Sequence, residues 1–432
     1  TQKDSTTGVA VKNEIFRVKD KRNLVVSEME VQYPDYFHLK HQLAASTMQE
    51  VQNFLDEKTL YLELANVKES QGKELYFLVI SKQTNQILKE TLMDDYTKKI
   101  TTFNNLLRSH NLLRADRRRK FINLSHELYQ QFIQPIEHLL EGKERLVIVG
   151  EGVTHYLPFE ALLKSVEDKP WEALDFLIKN YEVSYHYSGT LFVRAQEQQQ
   201  AFDNELLAFA PIFSKKDSTL VELRDNGLVM PDTTFRSIEG DNFRPLPYSE
   251  KEVKSIRQLF PKTAKVNLLL NEAANEVNLK TALEKNHRFV HIASHSFANI
   301  DFPKFSGIAC ALSDTTQQKD DGVLYVGEVY NLAVNSDLVV LSSCESGVGK
   351  LLDGEGMLGL NRSFVYAGVP NVIFSLWKVY DEKTGEMMTA FYKNVLQGQS
   401  YSKALRTAKL KMMDNPATAA PDIWAAFLLV GR

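Results

Sequence analysis

A chain of 432 residues with 44% hydrophobic and 25% charged positions has the make-up of a globular protein large enough for two or three cores. A net charge of −4 gives no overall reason to bind nucleic acid or an anionic membrane, and no apolar run has the length needed to span a bilayer. Two cysteines exclude a disulfide framework and point to a reducing cytoplasm.

The opening TQKDSTTGVAVKNE is polar and lacks the apolar core of a signal peptide. With no initiating Met, the chain reads as a mature or excised piece. Residues 1–45 are expected to be a helical lead-in, the remnant of an upstream helical region. Pro34 interrupts it, and His38 to Leu55 has helical spacing. Alternating runs from Leu60, Glu74 and Gln86, separated by turn-like ESQGKE and KQTNQ, predict a small antiparallel meander. Two helices are expected next, Tyr96 to His110 and Arg117 to Leu140. The basic cluster Arg114 to Lys120 reads as a solvated helix start: it is short, contains Asp116 and has no interleaved aromatics. From Arg145 a buried strand leads through a Gly turn to a short helix opening at Leu157 and Pro158. Tyr181 to Gln196 adds a strand and the start of a helix. His155 and His186 have no carboxylate or cysteine at ligand spacing and read as structural.

A new rhythm begins at Leu206 with the strand ELLAFAPIF. Residues 213–247 are long and irregular, as lids and functional loops are. Ser249 and Glu252 have the spacing of a capping box ahead of VKSIRQLF. Strands AKVNLLL, RFVHIAS, LVVLSS and NVIFSLW then alternate with helices EVNLKTALEK, GEVYNL, Asn361 to Ala367, Thr384 to Leu396 and Ser402 to Met413, and WAAFLLVG closes the chain. Strands alternating with helices imply a parallel sheet covered on both faces.

Two strand ends carry the chemistry. SDLVVLSSCESGVGK is a β-branched apolar run that breaks into a small polar turn holding Cys344. RFVHIASH has the same shape and ends at His295. If the strands are parallel neighbours, both residues leave the sheet at its carboxyl edge, where open α/β sheets place their sites. A thiolate is the nucleophile, and a nearby imidazolium populates it near neutrality. The other motifs fall away. HIASH has the spacing of a helical zinc pair, but its second position is Ile292 rather than Glu and its neighbours favour a strand. His291 therefore reads as a satisfied core histidine and Cys310 as a small buried hydrophobe. SGVGK fails as a phosphate loop at Cys344 and at Leu351.

The text LVIVGEGVTHYLPFEALL, RFVHIASHS, DGVLYVGEVYNL, SDLVVLSSCESGVGKLLDGEGMLGLNRSFVYAGVPNVIFSLWKVYDEKT, FYKNVLQGQSYSKALRTAK and PDIWAAFLLVG resembles the CHAT domain, the caspase-like cysteine proteases related to caspases and separase. The likeness runs from Glu144 to Gly431. It implies an α/β fold with a caspase-like, mostly parallel sheet flanked by helices, preceded by a degenerate pseudo-caspase α/β domain. The expected division is 1–45 lead-in, 46–200 pseudo-caspase domain and 201–432 protease domain. The resemblance makes His295 the general base and Cys344 the nucleophile, with the backbone N–H groups of Cys344 and Ser296 as the oxyanion hole. Ser296 departs from the Gly that the family usually has there. Asp381, with Trp377, Ser375 and Glu345, is the implied substrate-binding set, and Asp381 implies Lys or Arg before the scissile bond; its alternative reading is a helix N-cap. Ser342 and Ser343 stand where metacaspase-type relatives carry Asp. The expected protein is a cytoplasmic cysteine endopeptidase without cofactor or metal, acting on a protein substrate under a regulatory partner, as in bacterial defence. It is expected to bind no nucleic acid and no membrane. The competing class is a silent caspase-fold scaffold. The 213–247 and 313–322 segments are candidate lids or self-cleavage sites.

Overall fold

The computed structural model describes residues 45–69, 72–198, 201–213, 246, 248–297, 303–312, 321–342, 350–352, 356–377 and 381–432. These belong to one unit, Ala45–Arg432. The expected lead-in, apart from Ala45, lies outside the described residues, as do most of the 213–247 and 313–322 segments.

Alternating side chains set the first strands. After α1 (Met48–Asn53), which opens on a capping box between Thr47 and Glu50, β1 (Thr59–Glu69) turns Leu60, Leu62 and Leu64 inward. β2 (Gly72–Ile80) does the same with Leu75, Phe77 and Val79, a period of two that marks a strand with one face on a core. With β3 (Asn85–Thr91) they form the expected antiparallel meander, Leu62 opposite Val79 and Leu78 opposite Ile87. α2 (Tyr96–Arg108) and α3 (Ala115–Phe132) follow, and the basic cluster does open a helix. The second helix stops earlier than its spacing predicts. Pro135 has no N–H to continue the ladder, and Gln134–Leu139 tightens into a 3₁₀ turn. The short helix expected after Pro158 is likewise one 3₁₀ turn, Phe159–Ala161.

Apolar runs buried on both faces then build a parallel sheet. β4 (Arg145–Val149), β5 (Glu182–His186) and α4 (Gly189–Glu197) close the first half. The second half contributes β6 (Asn204–Ala210), α5 (Ser249–Leu259), β7 (Val266–Leu270), α6 (Glu276–Leu283) and β8 (His287–Ile292). Three short strands, β9 (Ser296–Phe297), β10 (Gly307–Ala309) and β11 (Val323–Tyr325), form a separate antiparallel sheet. After α7 (Val326–Val329) come β12 (Leu338–Leu341), the hairpin β13 (Lys350–Leu352) and β14 (Gly356–Leu358), then α8 (Leu360–Tyr366), β15 (Asn371–Ser375), α9 (Asp381–Leu396) and α10 (Tyr401–Met413). In the closing WAAFLLVG, Trp424 ends α11 (Pro421–Trp424) and Phe427–Val430 forms β16.

Among the described residues eleven strands join in one sheet, in the order β3-β2-β1-β4-β5-β16-β15-β12-β8-β6-β7. The run from β15 to β7 is parallel, and β16 lies antiparallel to β15 but parallel to β5. The α/β class with a mostly parallel, helix-flanked sheet is therefore the one observed. The sheet is continuous across the position near residue 200 where the chain was expected to divide, because Val430 pairs with Tyr185.

Candidate active site

The site begins with strand register. β12 and β8 are parallel neighbours with Leu341 opposite Ile292. His295 and Cys344 are each three positions further along the chain (292 to 295, 341 to 344), so the two strands point their polar sequels toward the same edge. Ser342 extends the pairing by one bond, its N–H donating to the Ile292 carbonyl at 2.9 Å. Cys344 and Glu345 lie outside the described residues.

The His295 side is held from both directions. The Ala293 N–H donates to Phe209 O at 2.8 Å, which fastens the turn to β6. On the far side the Ser294 hydroxyl donates to Ala309 O at 2.6 Å, and the Ala309 N–H donates to His295 O at 2.9 Å. His295 is thus wedged between the large sheet and the β9–β10–β11 sheet, 6% exposed, its ring 5.0 Å from that of Phe213. Phe213, Phe297, Ala309 and Val323 form a small apolar cluster there, separate from the main core. A histidine packed this way keeps one orientation, which a general base needs.

Ser296 opens β9 and pairs with Ile308. Among the described residues only His110 and Asn271 have positive φ without being glycine. The backbone at Ser296 is therefore open to any residue, and the family's glycine is not required here for its conformation.

Of the implied substrate-binding residues, Ser375 and Trp377 are described in full. Ser375 ends β15 with no exposed surface. Trp377, 1% exposed, belongs to the main core, and its indole N–H donates to Asp422 O at 3.0 Å, tying the end of β15 to α11. Asp381 is the first residue of α9; its side chain is outside the described part.

One group was misread from the sequence. Ser249 is not an N-cap: α5 starts at that residue, its hydroxyl donates to Leu246 O at 2.9 Å, and Tyr248 stands at the cap without capping the helix through its side chain. Helix entry one position early turns Glu252 away from the N-terminus and into the core. There it is 3% exposed, and its Oε1 meets the Ser342 hydroxyl at 2.6 Å and His291 Nε2 at 3.0 Å. His291, fully buried on β8, is bonded at Nε2; Nδ1 has no partner among the described residues. Cys310 is 3% exposed, as a small buried hydrophobe should be. His186 is buried, its pKa pushed down to about 4 by loss of hydration, which agrees with a structural role.

A helix-flanked parallel sheet whose neighbouring strand ends lead to a His and a Cys defines a class of α/β proteins with a carboxyl-edge site. The chain belongs to the CHAT-domain family, whose domain matches residues 123–432. It is 24% identical over 339 residues to the human tetratricopeptide repeat protein 28, a match covering 70% of this chain and 13% of that protein. The mouse protein of the same name is 31% identical over 109 residues, 25% of this chain and 4% of its own length. The chain thus spans a small fraction of the curated relatives it matches. Among solved structures it is similar to the separase of the Saccharomyces cerevisiae separase–securin complex, at TM-score 0.49 and 11% identity over 88% of this chain and 30% of that one. It is also similar to the Arg-specific cysteine proteinase gingipain R of Porphyromonas gingivalis, at TM-score 0.42 and 10% identity over 78% of this chain and 74% of that one. Among the described residues no helix is long and apolar enough to cross a membrane, and no group of three or more His, Cys, Asp or Glu could hold a metal ion.

Proposed function

We propose that the protein is a cytoplasmic cysteine endopeptidase. His295 takes the Cys344 proton, and the thiolate attacks a peptide carbonyl. The N–H groups of Cys344 and Ser296 hold the oxyanion that forms. His295 returns the proton to the leaving amine, and water then attacks the thioester, releasing the acid and the free thiol. Asp381, with Ser375, Trp377 and Glu345, forms the substrate pocket and favours Lys or Arg before the cut. Residues 46–200 are a pseudo-caspase half supporting the protease half, 201–432. A regulatory protein partner controls access, in the manner of bacterial defence systems. The observation that supports this reading best is the parallel register of β8 and β12, which carries the chain toward His295 and Cys344 from paired residues, Ile292 and Leu341.

The test is intact mass after wild type and Cys344→Ala are each incubated with a mixed protein and peptide pool. Fragments formed by wild type alone are the expected result, with Lys or Arg before each cut. Cleavage that persists in Cys344→Ala would overturn the assignment.

A second reading, a silent scaffold in a regulatory complex, draws on the curated relatives, which carry the name of a repeat rather than of an activity. It predicts that Cys344 is alkylated with the pH dependence of an ordinary thiol, whereas a dyad retains reactivity well below pH 8.

A further inference from the structure

The buried cluster of Glu252, His291 and Ser342 has no part in the chemistry proposed above. Its three members come from α5, β8 and the end of β12. Ser342 Oγ and His291 Nε2 converge on one carboxylate oxygen, at 2.6 and 3.0 Å. The convergence sets the proton positions. Nε2 carries the hydrogen that reaches Glu252, which leaves Nδ1 as the nitrogen without a partner among the described residues. A buried polar atom left unmet is costly, and a Ser–Glu–His group in a core confers geometric definition more than stability.

What it defines is the exit of β12. Ser342 is fixed twice, by its N–H on Ile292 O at 2.9 Å and by its hydroxyl on Glu252. The carboxylate is itself braced. His291 is held in the sheet by pairing with Val340 on one side and Ala208 on the other, and its ring meets Tyr392 edge-on at 5.5 Å. α9 closes over Glu252 at Gly385, where an added Cβ would stand 3.4 Å from the Glu252 Cβ. Two peptide units separate Ser342 from Cys344, a reach of about 7 Å, so a displacement at Ser342 is passed on to the nucleophile through a short tether.

The geometry points to Ser342, anchored by Glu252 and His291, as the positioning residue of the nucleophile-bearing turn. This rests on the reading of Cys344 as nucleophile. A displacement of about 1 Å at a reacting atom can cost about a hundredfold in rate. Loss of the anchor therefore acts on kcat, while the substrate-binding residues proposed above, and hence KM, are left in place.

The experiment compares Ser342→Ala, Ser342→Thr and Glu252→Gln with wild type, reading kcat and KM on a substrate cleaved in a Cys344-dependent way, together with the thermal midpoint. Ser342→Ala is expected to lower kcat about ten- to a hundredfold with KM nearly unchanged. Ser342→Thr, which restores the hydroxyl, recovers most of it, and Glu252→Gln, which keeps the accepting oxygen, stays within a few-fold. A Ser342→Ala enzyme with unchanged kcat, or a loss that Thr does not rescue, overturns the inference. If wild type cleaves nothing, the protease reading has failed, and the anchor is read from Cys344 directly by peptide-level mass spectrometry of iodoacetamide labelling. A several-fold change in the labelling rate of Ser342→Ala, reversed in Ser342→Thr, supports it; equal rates in all variants sink it.

Discussion

His186 shows what a single buried side chain does to the whole stability curve. Burial holds its pKa down to about 4, against about 6.5 in an unfolded chain. Below pH 6.5 the unfolded chain takes up a proton that the folded one refuses. The neutral imidazole's contribution is therefore fully present above pH 6.5 and is lost as pH falls toward 4, a change of about 3 kcal/mol. Urea midpoints measured at pH 7, 6 and 5 should fall, and His186→Phe should flatten that fall by close to one proton. A variant with the wild-type slope would contradict the assignment. The structural reading of His186 was legible because no partner stood at ligand spacing. Glu252 was not legible. Ser-x-x-Glu before an apolar run fits a capping box, and only the entry register of α5 decides whether the carboxylate faces its own helix end or the core. No local pattern encodes its partners, His291 and Ser342, which are remote in sequence.

Two glycines show how differently elements tolerate the same methyl group. Gly431 follows β16 with φ +137°, its N–H on Tyr185 O at 3.0 Å. A Cβ there would meet Asn371 Oδ1, and would stand 2.9 Å from both Asn371 Cα and Pro370 O. Backbone cannot give way as a side chain can, and the φ is one that L residues rarely adopt. Gly431→Ala should cost about 2–4 kcal/mol. Gly385 lies inside α9, and its new methyl would make only ordinary contact, 3.4 Å from Glu252 Cβ. Gly385→Ala should instead stabilise by about 0.5–1 kcal/mol through helix propensity. Thermal midpoints moving in opposite directions are the check; a shared direction would show that one site has been misjudged. At this scale the sequence was most readable in its buried runs. LVVL of β12 and NVIFS of β15 are apolar over nearly their whole length and too short for core helices. Helix ends were less readable, because Pro135 ends α3 through a missing N–H rather than through any change of hydrophobic period.

At the scale of the molecule, the decisive event is the insertion of β16 between β5 and β15, which makes one sheet of the two halves. Pairing between strands so far apart in the chain leaves no local signal, so the class of the sheet could be read from the sequence but its continuity could not. The seam is reinforced by α10, which comes from the second half yet binds the first. Its Ser402 hydroxyl donates to Glu182 at 3.0 Å, and Arg406 Nε donates to Ile178 O at 2.7 Å. Deepest is Lys409, 1% exposed, whose ammonium lies 2.9 Å from Glu160, 3% exposed. Tyr185 donates its hydroxyl to the other oxygen of that carboxylate. A buried ion pair adds little net stability, because desolvation offsets attraction, but removing one partner strands a charge. Lys409→Met should therefore cost about 3–5 kcal/mol. Glu160→Gln keeps an acceptor for Tyr185 while removing the charge, so Lys409→Met with Glu160→Gln should regain at least half of that loss. Urea unfolding of the two single variants and the double gives the coupling energy directly. Additive losses would mean that the two side chains do not depend on each other, and that the joint between the halves rests on the β5–β16 pairing and on the Ser402 and Arg406 bonds.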